Sequence, residues 1–225
     1  MPTSQQLRSG TGALALLAER DLAALWRTVT TAEQAQRLLE EALPGIVERY
    51  GSAAAALAAD WYDDLRDELG VRGRFSAFPA EVGDRGTDAL AGWGVGPLYA
   101  ADPDWNAART LVAGGLQRRI ADVARETITG SSIEDPAADG WQRVGQGTSC
   151  TFCRMLIGRG SVYTEAGVEF GAHDHCNCGA APAFGGHPRP VKPYEVSERR
   201  KRDENGDLIP SRDAARAREW IKDNR

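Results

Sequence analysis

Four cysteines and two histidines lie close together in the C-terminal half of the chain. They are Cys150, Cys153, His173, His175, Cys176 and Cys178, and they include every cysteine of the 225-residue sequence. A Cys-x-x-Cys turn lets two thiolates reach one ion at about 2.3 Å each, and a second short ligand pair across a hairpin completes a tetrahedron. The spacing therefore predicts a structural Zn²⁺ site, with Cys150 and Cys153 as one half and His173 with Cys176 or Cys178 as the other.

The same spacing leaves alternatives open. Six donors for four positions do not fix the ligand set, and His175 either faces solvent or supports a ligand by a hydrogen bond. Two disulfides are the competing chemistry, but the first residues, MPTSQQLRSG, show no secretory pattern, so we expect cytoplasmic synthesis and reduced thiols. A catalytic zinc is disfavoured because a closed, thiolate-rich site leaves no position for water. Short strands predicted at 162–163 and 168–170 favour a compact knuckle.

A family resemblance is carried by the stretches WQRVGQGTSCTFCRMLIGRGSVY and AHDHCNCGAAPAF. They resemble the C-terminal signature of the phage Mu F-like minor head proteins, especially the versions from phages of actinobacteria. The matching positions are Trp141, Cys150, Cys153, Leu156, Gly158, Tyr163, His173, Cys176 and Cys178. With the upstream stretch YGSAAAALAADWYDDLR, the likeness covers roughly residues 45–185. Asp174 and Asn177 depart from the family, which commonly has a proline and an arginine there.

The resemblance implies a function that composition alone does not show. It implies a non-enzymatic minor capsid protein in the head of a tailed-phage virion, near the portal, that acts in head assembly or DNA packaging. It also implies the portal protein, the major capsid protein or both as partners. The expected location is the virion, after synthesis in the host cytoplasm.

Composition predicts a mainly α fold for a soluble chain. Hydrophobic residues make up 42% and charged residues 26%, as in ordinary globular proteins, and abundant alanine favours closely packed helices. The net charge of −5 argues against a protein that coats nucleic acid over its whole surface. No apolar run approaches the roughly 18 residues needed to span a bilayer, so we expect no membrane contact.

The pattern divides the chain into three parts. A helical domain is predicted for residues 1–130, a zinc-knuckle β-hairpin module for 131–185, and an extended, proline-rich and charged arm with a short helix for 186–225. Within the first part, helical periodicity covers 12–43, and Thr31 with Gln34 fits a capping box. Pro44 is predicted to interrupt or kink that pattern and to begin a helix over 44–69. A further helix is predicted over 103–129 with Asp102 as its N-cap, followed by a strand at Trp141–Val144.

Two polar clusters on these helices are predicted to face solvent. The first comprises Asp63, Asp64, Asp67 and Glu68, with Arg66 among them. The second lies on the helix over 103–129 and comprises Arg118, Arg119, Asp122 and Arg125. The carboxylates superficially resemble a metal site, but no partner motif recurs elsewhere, so no catalytic role is assigned to them.

The arm from residue 186 has a different composition from the rest. Prolines at 188, 190 and 193 favour an extended path, and four basic residues in a row occupy 199–202. Such a run contacts phosphates or an acidic protein surface, unless the acidic residues that follow it leave it simply solvated. We therefore expect the arm to reach a partner, with DNA as one candidate.

Two other functions compete with the capsid interpretation. His173, Asp174 and His175 after a Cys-x-x-Cys superficially resemble the core of a His-metal (HNH-like) nuclease. That pattern then fails, because only Cys176, Cys178 and His187 follow as further ligands. A zinc-containing nucleic-acid-binding protein is disfavoured by the acidic balance and by the lack of interleaved aromatic and basic residues.

Overall fold

The computed structural model describes residues 2–146, 149–161, 163–164 and 170–185, together with Glu219 and Lys222. Its regular elements in chain order are α1 (Ser4–Trp26), α2 (Ala32–Glu68), α3 (Thr87–Gly94), a 3₁₀ turn (Gly96–Tyr99), α4 (Trp105–Glu134), β1 (Trp141–Val144), α5 (Thr151–Ile157) and β2 (Gly179–Pro182). Helix dominates the described residues, and the two strands form one small antiparallel ribbon. This confirms the mainly α fold with a small β module.

The first two helices are longer than the sequence pattern predicts. α1 begins directly after Thr3, whose side chain forms a reciprocal capping box with Gln6. α2 continues through Pro44 without a break, so the prediction that this proline separates two helices is wrong. Pro44 lies on the exposed side of α2, and so does Glu40, whose carbonyl loses its N–H partner. Water can satisfy that carbonyl, which explains why the helix tolerates the proline.

The start and the middle of α2 follow the sequence more closely. The hydroxyl of Thr31 accepts a hydrogen bond from the Gln34 N–H at 3.2 Å, which confirms the predicted cap. The Gln34 side chain in turn accepts from the Thr30 N–H at 3.0 Å, one residue earlier than a regular capping box requires. Gly51 permits a close approach to α4, since a Cβ at this position would lie 3.2 Å from the side chain of Val123.

Helix α4 lies at the centre of the fold and contacts α1, α2, α3 and both strands. Its buried apolar side chains are Ala108, Val112, Leu116, Ile120, Val123, Ala124 and Ile128. The N-cap is Asp104, whose carboxylate accepts from the Ala107 N–H at 2.8 Å, so the prediction of Asp102 as the cap is wrong. The helix also continues past its predicted end at residue 129 as far as Glu134, and in this last part the buried Ser132 hydroxyl donates to the carbonyl oxygen of Ile128 at 2.6 Å.

Arg66, Arg119 and Arg125, which were predicted to face solvent, are buried. Arg66 of α2 pairs with Asp135, just beyond the end of α4. Arg119 of α4 donates to the carbonyl oxygens of Arg85 and Gly86 at 2.7 and 2.8 Å. The irregular segment between α2 and α3 has no strand partner, so Arg66 and Arg119 satisfy part of its backbone and hold it on the helices.

The two strands connect the helices with the cysteine-rich part of the chain. Trp141 pairs with Pro182, and Val144 pairs with Gly179, in antiparallel register. The Trp141 ring stacks on the rings of Tyr163 and Phe170, with centroids 4.3 and 5.6 Å away. Because these residues belong to the same apolar cluster as the helices, the core continues from α4 into the ribbon.

Several predictions fall wholly or partly outside the described residues. The strands predicted at 162–163 and 168–170 are described only at Tyr163 and Phe170, and the arm over 186–225 only at Glu219 and Lys222. The division of the chain at residues 130 and 185 stays a prediction. Among the described residues, no helix combines the length and the apolar character that crossing a membrane requires.

Candidate metal centre

Two segments present the predicted ligands. Cys150 and Cys153 lie at the beginning of α5, where the sulfur of Cys150, the N-cap, accepts from the Cys153 N–H at 3.4 Å. His173 and Cys176 lie in the loop before β2, and Cys178 directly precedes that strand. Because β1 and β2 pair at the base of this region, the two halves that the sequence predicts are brought together.

All five predicted ligands meet in one cluster. The sulfur of Cys153 lies 3.5 Å from that of Cys176 and 3.4 Å from that of Cys178, and the latter two sulfurs are 2.8 Å apart. At the outer side, the sulfur of Cys150 lies 3.1 Å from Nε2 of His173. All four cysteines are free thiols, so the structure does not contain the pair of disulfides considered as the alternative.

The chemistry of these donors fits a thiophilic ion such as Zn²⁺, and the inner sulfurs, 2.8 to 3.5 Å apart, lie somewhat closer together than in an occupied site. Ligand atoms at about 2.3 Å from a tetrahedral centre lie about 3.8 Å from one another. The donor atoms form two groups in which all lie within 4.8 Å of one another: Cys150, Cys153 and His173, and Cys153, Cys176 and Cys178. Cys153 belongs to both groups and is the donor that connects them.

Burial distinguishes the inner donors from the outer ones. Cys153, Cys176 and Cys178 are 2%, 4% and 2% exposed, whereas Cys150 and His173 are exposed to solvent. Three buried thiols therefore define the inner side of the site. Cys150 and His173 lie together on the outer side, with their donor atoms 3.1 Å apart. Such a closed, sulfur-rich set is typical of structural rather than catalytic zinc.

Contacts within the cluster shift the pKa values of its thiols and of His173 in different directions. Hydrogen bonds with Cys176 and Cys178, followed by burial, raise the pKa of the Cys153 thiol. Hydrogen bonds with Cys153 and Cys178 lower the pKa of Cys176. The pKa of His173 is raised, chiefly by its contact with the backbone carbonyl of Asp174. Cys176 is therefore the first thiol of the buried group to ionise, and the thiolate is the form that binds metal.

Two neighbours of the ligands hold the loop on helix α4. Nε of Arg118 lies 3.0 Å from the carboxylate of Asp174. The ring of His175 covers Gly114, where a Cβ would come within 2.4 Å of its Nε2 atom. His175 also has a left-handed backbone, with φ of 58°. This histidine therefore packs on α4 and belongs to neither group of donors.

Two arginines that sequence reasoning did not assign to the site contact it directly. Arg125 of α4 donates to the backbone carbonyls of Cys178 and Cys176, each at 2.9 Å, and Arg143 of β1 donates to the sulfur of Cys178 at 3.2 Å. Both arginines are buried. One signal for Arg143 was present in the sequence, because strand alternation places it on the same face as the buried Trp141.

The carboxylates near the end of α2 have a different role. Asp63 accepts hydrogen bonds from the Ser76 hydroxyl at 2.7 Å and from the Ala77 N–H at 2.8 Å, so it anchors the segment after α2. Within the described residues, no carboxylate belongs to a group of potential metal donors. His187, which the nuclease alternative would use, lies outside the described residues.

Comparison with known proteins shows the class of the chain. A family model described as VG15 protein matches residues 2–203, which include the helices, the strands and the thiol cluster. That family is one of viral genes, so the class is that of a viral protein. The chain belongs to the VG15 protein family. No curated protein matches the chain, and no solved structure matches it either.

Proposed function

We propose that the chain is a minor capsid protein of a tailed bacteriophage, a non-enzymatic component of the virion head that lies near the portal. Its role is in head assembly or DNA packaging, with the portal protein, the major capsid protein or both as partners. The observation that carries the proposal is the match to a viral family over residues 2–203, which covers the helical body and the thiol cluster together. The ligands of that cluster are also the residues through which the sequence resembles the Mu F-like minor head proteins.

The metal in this proposal is structural Zn²⁺. Cys153, Cys176 and Cys178 hold it from the inner side, and Cys150 or His173 completes the set. The bound ion fixes α5, the loop before β2 and the strand itself relative to one another. Zinc in small sites of this kind contributes on the order of 10–16 kcal/mol of apparent folding free energy. The three buried thiols support a structural role because they enclose the ion on its protein side.

The test of the capsid role uses the virus that encodes the chain. Virions and empty heads are purified on density gradients, and the protein is quantified by mass spectrometry against the major capsid protein. We expect a few copies per particle, cross-links to portal or capsid protein, and defective or DNA-free heads when the gene is deleted. Normal, infectious particles that lack the protein would overturn the proposal.

The test of the metal uses the purified full chain. Elemental analysis is expected to give one zinc per chain in the native protein and none in a Cys153→Ser variant. His175→Ala is the matched control, because His175 lies beside the ligands but packs on α4. A plasmid-nicking assay in Mg²⁺ runs alongside, and nicking that disappears in His175→Ala would favour the nuclease alternative over the structural role.

A further inference from the structure

Arg143 has an environment unlike that of an ordinary strand residue. Its side chain lies inside the ribbon and is 4% exposed. One guanidinium nitrogen donates to the sulfur of Cys178 at 3.2 Å, and the other donates to the backbone carbonyls of Phe170 and Gly171, the latter at 2.9 Å. The guanidinium carbon also lies 3.7 Å from the centre of the Phe170 ring. These contacts fix the charged group in one position against the thiol cluster.

The charge of Arg143 has no carboxylate partner among the described residues. Burying a cation without an opposite charge raises the free energy of the folded state, so we expect a negative group close to Arg143. The thiol cluster is such a group once it holds a metal. Zn²⁺ with three thiolates and one neutral imidazole carries one negative charge, and with four thiolates it carries two.

Arg125 provides a comparison within the same site. It is equally buried, and its guanidinium carbon lies 5.0 Å from the centre of the same Phe170 ring. Its donors, however, contact the backbone carbonyls of Cys176 and Cys178 and no sulfur atom. Its charge is already balanced by Asp122, whose carboxylate lies 2.6 Å away. Arg125 therefore holds the loop, whereas Arg143 contacts a ligand atom.

We propose that Arg143 is the positioning and charge-balancing residue of the metal centre, acting through its hydrogen bond to the sulfur of Cys178. This inference rests on the proposed metal site. The guanidinium neutralises part of the excess negative charge of the metal–thiolate group and keeps the sulfur in the direction of the ion. Neighbours of this kind change the metal affinity of a site by about 10–100-fold.

The test compares Arg143→Gln, Arg143→Lys and Arg125→Gln in the full chain. Zinc affinity is measured by competition with a chelator, and the Co²⁺-loaded proteins are examined for their thiolate-to-metal charge-transfer band. Glutamine keeps a donor for the loop carbonyls but removes the charge, so we expect about 10–100-fold weaker zinc binding. Lysine keeps the charge and is expected to bind zinc more tightly than glutamine.

The cobalt spectrum separates a contact with sulfur from a general loss of structure. A hydrogen bond to a thiolate stabilises its lone pairs, so Arg143→Gln should move the charge-transfer band to lower energy. Arg125 holds the loop but contacts no sulfur atom, so Arg125→Gln should shift the band less than Arg143→Gln does. If Arg143→Gln does not fold, Arg143→Lys is compared with the native chain, and we expect weaker zinc binding because one ammonium group cannot contact the sulfur and both carbonyls as the planar guanidinium does. Zinc affinity within twofold of native and an unshifted band would overturn the inference alone. A native chain that binds no metal would overturn the proposed metal site as well.

Discussion

Arg66 and Asp135 form an ion pair that is almost completely buried, with the guanidinium Nε 2.6 Å from a carboxylate oxygen. Their side chains are 6% and 0% exposed, and the hydroxyl of Tyr62 donates to the same carboxylate at 3.1 Å. Burial, followed by the neighbouring carboxylate, raises the pKa of Tyr62, so this hydroxyl keeps its proton. The three side chains connect α2 with the point where the chain leaves α4 for the strands.

We expect Asp135→Ala to lower the free energy of unfolding by about 3–5 kcal/mol, because it leaves the guanidinium of Arg66 buried without its partner. Urea denaturation followed by circular dichroism measures this change. The matched control is Arg49→Gln, since Arg49 and Asp21 form an exposed pair 3.9 Å apart. The control should change stability by less than about 1 kcal/mol. Similar small effects in both variants would show that the buried pair contributes little.

The arrangement of the donors predicts a graded response to their replacement. Cys153→Ser should abolish zinc binding, because Cys153 belongs to both groups of donors. Cys150→Ser and His173→Ala should each weaken binding less, since these two donors lie 3.1 Å apart and the remaining one can take the outer position. Replacing both together should have an effect as large as Cys153→Ser. The idea fails if either outer replacement alone removes the metal completely.

Metal removal should loosen one end of the molecule and leave the other intact. Hydrogen exchange monitored by mass spectrometry is expected to show lost protection in β1, α5 and β2 after treatment with a chelator. The contact region of α2 and α4 should stay protected, because its apolar core does not depend on the ligands. Re-addition of Zn²⁺ should restore the protection. Uniform loss of protection along the chain would instead show that the metal supports the entire fold.

Replacing a glycine by alanine should have opposite effects on stability at Gly140 and at Gly45. Gly140 precedes β1 with φ of 123°, and a Cβ there would lie 2.2 Å from the carbonyl oxygen of Tyr163. Gly140→Ala should therefore destabilise the protein by about 1–3 kcal/mol. Gly45 lies on the exposed side of α2 with no atom within 4 Å of an added Cβ, so Gly45→Ala should stabilise by up to about 1 kcal/mol. Thermal denaturation of the two variants tests both signs.

The elements that the sequence predicts best are those whose signals are local. The cluster of Cys150, Cys153, His173, Cys176 and Cys178 follows from ligand spacing, and the structure brings all five together. The strand predicted at Trp141–Val144 is present with the same bounds. Neither feature needs knowledge of the rest of the chain.

The errors arise where tertiary contacts outweigh a local rule. Pro44 was predicted to interrupt a helix, but it lies on the exposed side of α2. The carbonyl of Glu40, which lacks an N–H partner there, can bond to water instead. The sequence suggests that Arg66, Arg119 and Arg125 lie on solvated helix faces. It shows that these residues are charged but does not show which groups they contact in the fold. These partners are distant in the chain. Arg66 pairs with Asp135, Arg119 donates to the carbonyls of Arg85 and Gly86, and Arg125 donates to the carbonyls of Cys176 and Cys178.

Strand β2 contacts helix α1, and a Cβ at Gly179 would lie 3.3 Å from the side chain of Arg8. The ribosome therefore releases α1 long before the strand that packs beside it. Until β2 has emerged, the apolar surface that Ala15 and Ile128 contribute lacks its neighbours Gly179 and Ala180. A nascent chain that stops short of Gly179 presents this surface to chaperones and proteases.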